Sequence, residues 1–499
     1  MMKYSPFAAV AFLLVNVCLS AQTSVYSAWP NFPQSPSFFP LATWSLNPTR
    51  SLGSGAPFST DAAGIAGTKM NILVQIDNGG GANYPTTFGV DTNGLFQALV
   101  NQGVYVIPYA EYTDNTGVES VASQQAVAAS IGATNYLIGY NLGDEPQKYC
   151  STSSNVLSSI PTIVSTVHGY DGTRPFLWNH TDWAFGHGLN SPDCTLAYNI
   201  AALQAVDIGS FDEYPLTSPW NGSSNIPFVS GQPQDSMWIQ GWSVNQFIAD
   251  GRAGEPISSW VETGTDELGY SEQNGSTCNA TTNLCSPYNN EYRATAEQVN
   301  AEVWMTLVNG AMGVGYFCDD NLAYDFCIGS TVGGEASISA AIAANLTYIN
   351  TTILSYAPQL NSPVSGRCTM NTGTGYTNYT TSCSNGILTM STGTSTVPGS
   401  AIVKNSNGTL YLFADSDRNG SATMTFTLSG YSGATAKVVY DSNAHYDAAH
   451  SSVGQAFTLN GSGQFSDTFG ANGHNYQPKI YMITTGGPNP PTGLAAVVQ

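Results

Sequence analysis

Two glutamates stand where short apolar runs give way to small and polar residues. Glu145 lies in Tyr140-Asn141-Leu142-Gly143-Asp144-Glu145-Pro146, and Glu262 lies in Ser258-Ser259-Trp260-Val261-Glu262-Thr263-Gly264. Two carboxyl groups held either side of one bond can divide the work. One lends a proton to a departing oxygen, while the other attacks carbon or activates water. Rival chemistries lack their motifs, since the chain has no G-x-S-x-G elbow, no H-E-x-x-H and no C-x-x-C. Asp415-Ser416-Asp417-Arg418-Asn419-Gly420 matches the opening of a calcium loop, yet its twelfth position is Phe426 rather than Glu. Lying between two β-type runs, it reads as a hairpin turn. His445, His450 and His474 have no metal-ligand spacing, so neither a metal nor a cofactor is expected.

The two glutamates need a frame. Eight apolar β-type runs precede residue 363: Phe39–Trp44, Met70–Ile76, Val104–Tyr109, Tyr136–Leu142, Pro175–Asn179, Val206–Phe211, Ile257–Val261 and Gly313–Phe317. Helical patterns fall at Gln124–Ile131, Val156–Val167, Met237–Asp250, Thr295–Asn309 and Ile338–Tyr356. Strands alternating with helices pair in parallel through crossovers. This spacing predicts an α/β fold, a (β/α)8 TIM barrel over residues 22–363, with its active site at the C-terminal strand ends. A doubly wound sheet is the alternative, but no G-x-G-x-x-G turn follows the first strand. Glu145 then follows the fourth strand and Glu262 ends the seventh, across the mouth from one another. One Glu at a strand end is more often a turn or cap residue. Two at these positions fit the carboxyl pair that glycosidic-bond hydrolysis uses.

On these residues, positions 38–363 resemble the clan A (β/α)8 retaining glycoside hydrolases. That resemblance implies that Glu145, in an Asn-Glu-Pro-like setting, is the acid/base and Glu262 the nucleophile. The chain departs from the pattern in three places. Asp144 stands where the clan has Asn for the sugar 2-hydroxyl, and its charge would raise neighbouring pKa values. Gln75, Asp77 and Asn78 occupy the end of strand two where an Arg is usual, and Tyr316-Phe317 replace the Trp of strand eight. A shared role for Asp144 and Glu145 stays open, as do the family and the sugar. The remaining strand ends carry groups suited to sugar faces and hydroxyls. They are Trp44, Glu111, Asn141, Asn179, His180, Asp212, Tyr214, Trp260 and Asp319, with Asp77, Asp144 and Tyr316 from the departures above. Barrel packing is the alternative reading for Trp178 and Trp260, and His180 reads as a ligand contact rather than a satisfied core histidine. Tyr214 matches the position at which several clan families hold a Tyr or His against the nucleophile. A decayed barrel that binds carbohydrate without cutting it is the alternative function.

Beyond Pro363 the texture becomes alternating strands and turns, with Asn407-Gly408, Asn419-Gly420 and Asn460-Gly461 as turn signals. A small antiparallel β-sandwich over 364–486 and a Pro/Gly-rich tail over 487–499 are expected. Residues 1–21, with Lys3, an apolar stretch and Leu19-Ser20-Ala21, read as a secretory leader too short to span a bilayer. Eight further cysteines suggest disulfides, in the simplest pairing 150/194, 278/285, 318/327 and 368/383. Ten N-x-S/T sequons include Asn179, which is expected to be unused because a glycan there would block the mouth.

Twelve Lys+Arg against 33 Asp+Glu give a net charge of -21, and only 9% of residues are charged. That balance excludes a phosphate-binding, nucleic-acid partner. It suits a neutral carbohydrate substrate, export as a monomer, no membrane association once the leader is removed, and an acidic working pH.

Overall fold

The computed structural model describes residues 24–46, 58–76, 95–107, 136–144, 156–169, 171–181, 195–215, 237–263, 277–278, 284–286, 291–292, 294–317, 336–369, 382–392, 397–417, 420–470 and 476–485. Eight parallel strands form the first sheet. They are β1 (Leu41–Leu46), β2 (Ile72–Ile76), β3 (Tyr105–Ile107), β4 (Tyr140–Asp144), β5 (Phe176–Thr181), β6 (Ile208–Asp212) and β7 (Ile257–Glu262). After three short antiparallel strands, β8 (Thr277–Cys278), β9 (Leu284–Ser286) and β10 (Glu291–Tyr292), comes the eighth, β11 (Gly313–Phe317). Their hydrogen-bonded order is β3-β2-β1-β11-β7-β6-β5-β4. The two ends of that order meet, because Val106 N–H donates to Tyr136 O at 2.8 Å and Ile138 N–H donates to Val106 O at 3.0 Å. The chain therefore runs once around a closed (β/α)8 ring, as the strand count predicted. β4 starts later than its apolar run suggested, at Tyr140, and its register shifts between Asn141 and Asp144.

Among the described residues seven longer helices accompany the ring: α1 (Phe58–Gly67), α2 (Leu95–Asn101), α3 (Ile160–His168), α4 (Leu196–Leu203), α5 (Trp238–Asp250), α6 (Ala296–Val308) and α7 (Ala336–Ser355). The sequence pattern missed α1, α2 and α4, which are short or interrupted by small residues. The helix expected at Gln124–Ile131 lies outside the described residues. Pro161 explains why the pattern read from Val156 is divided: a 3-10 turn over Val156–Ser159 precedes an α-helix that starts at Ile160. α6 begins with a capping box. Thr295 Oγ1 accepts Gln298 N–H at 3.3 Å, and Gln298 Oε1 accepts Thr295 N–H at 2.9 Å.

Alternation along the strands sends one set of side chains inward. Ala42, Trp44, Ile72, Val74, Ile107, Ile138, Leu177, Ile208 and Trp260 fill the barrel, with Tyr26 and Phe32 from the segment before β1. Tyr26 donates its hydroxyl to Met312 O just ahead of β11, and Asn31 bonds Thr173 just ahead of β5. This segment therefore stoppers the N-terminal end and leaves the C-terminal end as the mouth. The Trp260 indole can lie across the interior because β11 offers a glycine beside it. A Cβ on Gly315 would stand 2.1 Å from Trp260 Cε3.

The C-terminal strands make two antiparallel sheets. One has the order β12 (Val364–Thr369), β15 (Gly399–Ser406), β16 (Thr409–Ser416), β21 (Lys479–Thr484), β18 (Thr435–Asp441) and β19 (Ala456–Thr458). The other has β13 (Ser382–Asn385), β14 (Leu388–Thr392), β17 (Ala422–Leu428) and β20 (Gln464–Phe469). Leu388, Met390, Leu412, Met424, Phe426, Phe465 and Tyr481 are buried between them, forming the expected sandwich. Asn407 and Gly408, at φ 52° and 86°, make the two-residue hairpin turn joining β15 to β16. The turn expected at Asn419-Gly420 is not a hairpin: β16 and β17 belong to different sheets, so the chain crosses the sandwich there. A disulfide joins Cys368 and Cys383 as the simplest pairing had it. Cys278 and Cys285 are register partners in the β8–β9 ladder. The other expected pairs lie outside the described residues, as do the leader and the tail. Among the described residues no helix is long and apolar enough to cross a membrane.

Replacing Gly315 by Ala is expected to lower the unfolding free energy by about 1–3 kcal/mol, the range for overpacking, and to disturb tryptophan fluorescence. Denaturant titration monitored at the indole emission checks both.

Candidate active site

The mouth is built from residues that share the inner face of the strands. Trp44 of β1 and Trp260 of β7 meet edge to face, with ring centroids 4.7 Å apart and planes at 78°. Trp260 Nε1 donates to Ser210 Oγ at 3.4 Å, and Ser210 Oγ lies 3.2 Å from Asn179 Oδ1. This chain of contacts fixes the amide of β5 against the indole of β7. Asn141 and Asn179 are buried, while Asp212 is half-buried at the end of β6. Just beyond Asp212, the Tyr214 ring packs on Phe317 at 5.5 Å. Glu262 ends β7 and is fully buried. The next residue, Thr263, ties the strand end to its neighbour, its Oγ1 donating to Phe317 O at 2.9 Å.

Not every residue expected at the mouth belongs to this group. Tyr316 lies on the outer face, donating its hydroxyl to Asn350 Oδ1 of α7 at 2.6 Å. His180 also faces the helix layer. Its Nε2 is 3.1 Å from Asn199 Oδ1 of α4, and its ring meets Trp178 and Phe247 edge-on. Both are packing residues of the barrel wall, as is Trp178. The backbone of Asp144 ends β4, and Glu145 follows it directly in the chain. Glu145 itself, Asp77, Glu111 and Asp319 lie outside the described residues. Asn179 is buried, so its sequon offers no surface for a glycan.

One residue escaped the sequence reading altogether. Glu302, in the middle of α6, is fully buried, and its carboxyl meets that of Glu262. Neither Glu302 oxygen has a donor among the described residues, so the bond between the two acids needs a proton on one of them. Burial, then the charge of Glu262, then the hydrogen bond to Glu262 push the Glu302 carboxyl well above its ordinary range. Glu302 is therefore the protonated partner and donates to the Glu262 carboxylate. The only available signal was a charged residue in a run too apolar to leave it a wet face. Among the described residues no three His, Cys, Asp or Glu side chains converge as a metal site.

No family model matches the chain, and no curated protein matches it. Solved structures similar to it include an exo-β-1,4-mannosidase, Op5Man5, from Opitutaceae bacterium strain TAV5. The identity is 12%, with 62% of this chain and 60% of that one covered and a TM-score of 0.41. A β-galactosidase from the psychrophilic Marinomonas ef1 is 10% identical over 66% of this chain and 62% of its own, at a TM-score of 0.43. An Anoxybacillus α-amylase is 9% identical over 91% and 99%, at a TM-score of 0.44. The chain thus spans about three fifths of the mannosidase and the β-galactosidase. All three are glycoside hydrolases by name; the barrel assignment rests on the strand order itself.

A carboxyl whose pKa rises on folding stabilises most below its unfolded value, about 4.3 for Glu, and this contribution is lost as pH climbs toward the folded value. Glu302→Gln keeps a donor for Glu262 and removes that titration. Its melting temperature is expected to fall less than the wild type's between about pH 5 and pH 8, as read by scanning calorimetry across that window.

Proposed function

We propose that the protein is a secreted O-glycoside hydrolase acting on an oligo- or polysaccharide by a two-carboxyl, retaining mechanism. The observation that carries this reading is Glu262 buried at the C-terminal end of β7, at the same mouth as Trp44, Trp260, Asn141, Asn179 and Asp212. The barrel's end of β4, from which the chain leads straight to Glu145, supports the second carboxyl. Glu145 protonates the leaving oxygen and then activates water, while Glu262 attacks the anomeric carbon and forms the glycosyl-enzyme intermediate. Retention corresponds to carboxyl groups roughly 5–5.5 Å apart. Asp144, beside Glu145, disfavours loss of the acid's proton through its own charge. The two indoles offer apolar faces to sugar rings, and the amides and Asp212 take hydroxyls. Asp77, Glu111, Tyr214 and Asp319 complete the mouth in this reading.

The catalytic unit is assigned to residues 22–363, the accessory sandwich to 364–486 and a linker to 487–499, following a cleaved leader over 1–21. The disulfide and the scarcity of cationic side chains support export and a neutral substrate.

Glu262→Gln is expected to cut turnover of the responsive glycan by about 10⁴-fold or more, as for the loss of one member of a catalytic unit, with the melting temperature retained. Glu145→Gln is expected to lose about 10²–10⁴-fold, least on substrates with good leaving groups. Assay against a panel of plant, fungal and bacterial polysaccharides reads both. Full activity in Glu262→Gln overturns the assignment, and glycan binding by the wild type without hydrolysis would make the protein a carbohydrate-binding barrel.

A further inference from the structure

Under the proposed function Glu262 has to attack as a carboxylate, and the fold removes that group from water. A buried carboxylate keeps its charge only where a donor or a cation meets it. Cations are absent from the elements around it, since β7, β11, α5 and α6 contain no Lys, Arg or His. What the fold does bring is Glu302, from the middle of α6, within hydrogen-bond reach of the Glu262 carboxyl. Both groups sit on fixed elements. Glu262 is the register partner of Phe317, and Thr263 Oγ1 ties the same strand end to Phe317 O. The capping box at Thr295 fixes the start of α6, and Thr306 Oγ1 bonds Glu302 O at 2.9 Å one turn further on. Neither Glu302 side-chain oxygen meets a donor among the described residues, so the two acids join only through the O–H of one of them.

The elements packed on α6 bring nothing that would compensate a charge on Glu302. Asp250 closes α5, and Tyr316 of β11 gives its hydroxyl to Asn350 of α7. Tyr440 of β18 bonds Asn300, two residues and some 200° around the helix from Glu302. Arg367 is bound to Asn309 O at the far end of α6, and Lys404 of β15 lies beside Arg367. Glu297, in the first turn, acts on Tyr446. The charge that does act on Glu302 is that of Glu262, which together with burial favours a neutral Glu302.

Resting on the two-carboxyl reaction above, we propose that Glu302 is a positioning residue for the nucleophile: its O–H donates to Glu262, holds that carboxyl as the anion and fixes its orientation. In the second half of the reaction the water oxygen bonds to the anomeric carbon. The bond from that carbon to Glu262 breaks, its electron pair returns to the carboxylate, and Glu145 takes the proton of the water. The Glu302 O–H meets the returning charge and keeps its own proton. Buried within α6, Glu302 acts through Glu262 and not on the sugar, so its removal acts on turnover rather than on substrate binding.

The test uses the full chain and the variants Glu302→Leu, Glu302→Gln and Glu262→Gln. Glu302→Leu removes the donor at similar volume. It is expected to lower kcat on the responsive glycan by about 10–100-fold, with KM within about threefold. The acid limb of its kcat/KM profile is expected about one to two pH units higher, the equivalent of one hydrogen bond to a charged group. Glu302→Gln keeps a donor and is expected to recover most of the rate and the wild-type acid limb. Wild-type kcat and acid limb in Glu302→Leu overturn the proposal, as does a loss in Glu302→Gln as large as in Glu302→Leu. Infrared spectroscopy at neutral pH reads the proton without substrate. The difference between wild type and Glu302→Gln is expected to contain the carbonyl band of a protonated carboxyl, and Glu262→Gln is expected to displace that band. Its absence, or its indifference to Glu262→Gln, overturns the proposal. Should Glu302→Leu not fold, the Glu302→Gln profile and the infrared band decide it. If no glycan is hydrolysed, the two-carboxyl reaction fails, while the band still decides whether Glu302 holds its proton against Glu262.

Discussion

Helix α6 has almost no wet surface, and much of the molecule follows from that. Every residue from Gln298 to Val308 is buried, because the helix is clamped between strands β7 and β11 of the barrel and strand β16 of the sandwich. A helix enclosed on all sides must satisfy its polar side chains internally. Asn300 receives the Tyr440 hydroxyl from β18, Thr306 bonds back to Glu302 O, and Asn309 at the C-cap accepts Arg367 on its carbonyl. Trp304 lies against Phe413 and Tyr440, so the same turn of helix glues the two units together. Among the described residues Glu302 has one polar recourse, the Glu262 carboxyl at the end of β7. The packing that docks the sandwich therefore also places a second carboxyl against the acid at the barrel mouth.

A low density of charge shapes how the rest is held. With 12 cationic side chains in the whole sequence, ion pairs cannot be the general device. Those formed are spent at structural corners. Arg174 holds Asp171, which also takes the Tyr140 hydroxyl, and His168 lies 2.9 Å from Asp207 at the base of the barrel. Elsewhere neutral hydroxyls and amides carry the connections: Tyr446 to Asn345, Tyr356 to Val439 O and Asn350 to Thr68 O. Neutral bonds of this kind each add only about 1 kcal/mol net, but leaving a buried partner unmade costs more. They therefore specify the arrangement more than they strengthen it. A carboxyl that meets no cation among the described residues, such as that of Glu302, is then a place where a proton must act.

The sequence by itself determined the number, order and parallel sense of the barrel strands. Apolar runs of β character separated by helical stretches admit only crossover connections, and eight of them close a ring. It also marked Glu262 as a strand end, Thr295 as the start of a helical pattern and Asn407-Gly408 as a turn, since each depends on neighbours within a few residues. It could not decide which face of each strand looks inward. Trp178-Asn179-His180 must alternate, so the three could never all line the mouth. Closure of the ring and the fit of Trp260 over Gly315 put Asn179 inside and its neighbours outside, and left Tyr316 against α7. The Glu262–Glu302 contact, the passage of the chain from β16 into the opposite sheet and the burial of Asp415 were equally invisible. Each joins residues whose meeting depends on how whole elements pack, and no local pattern encodes that distance.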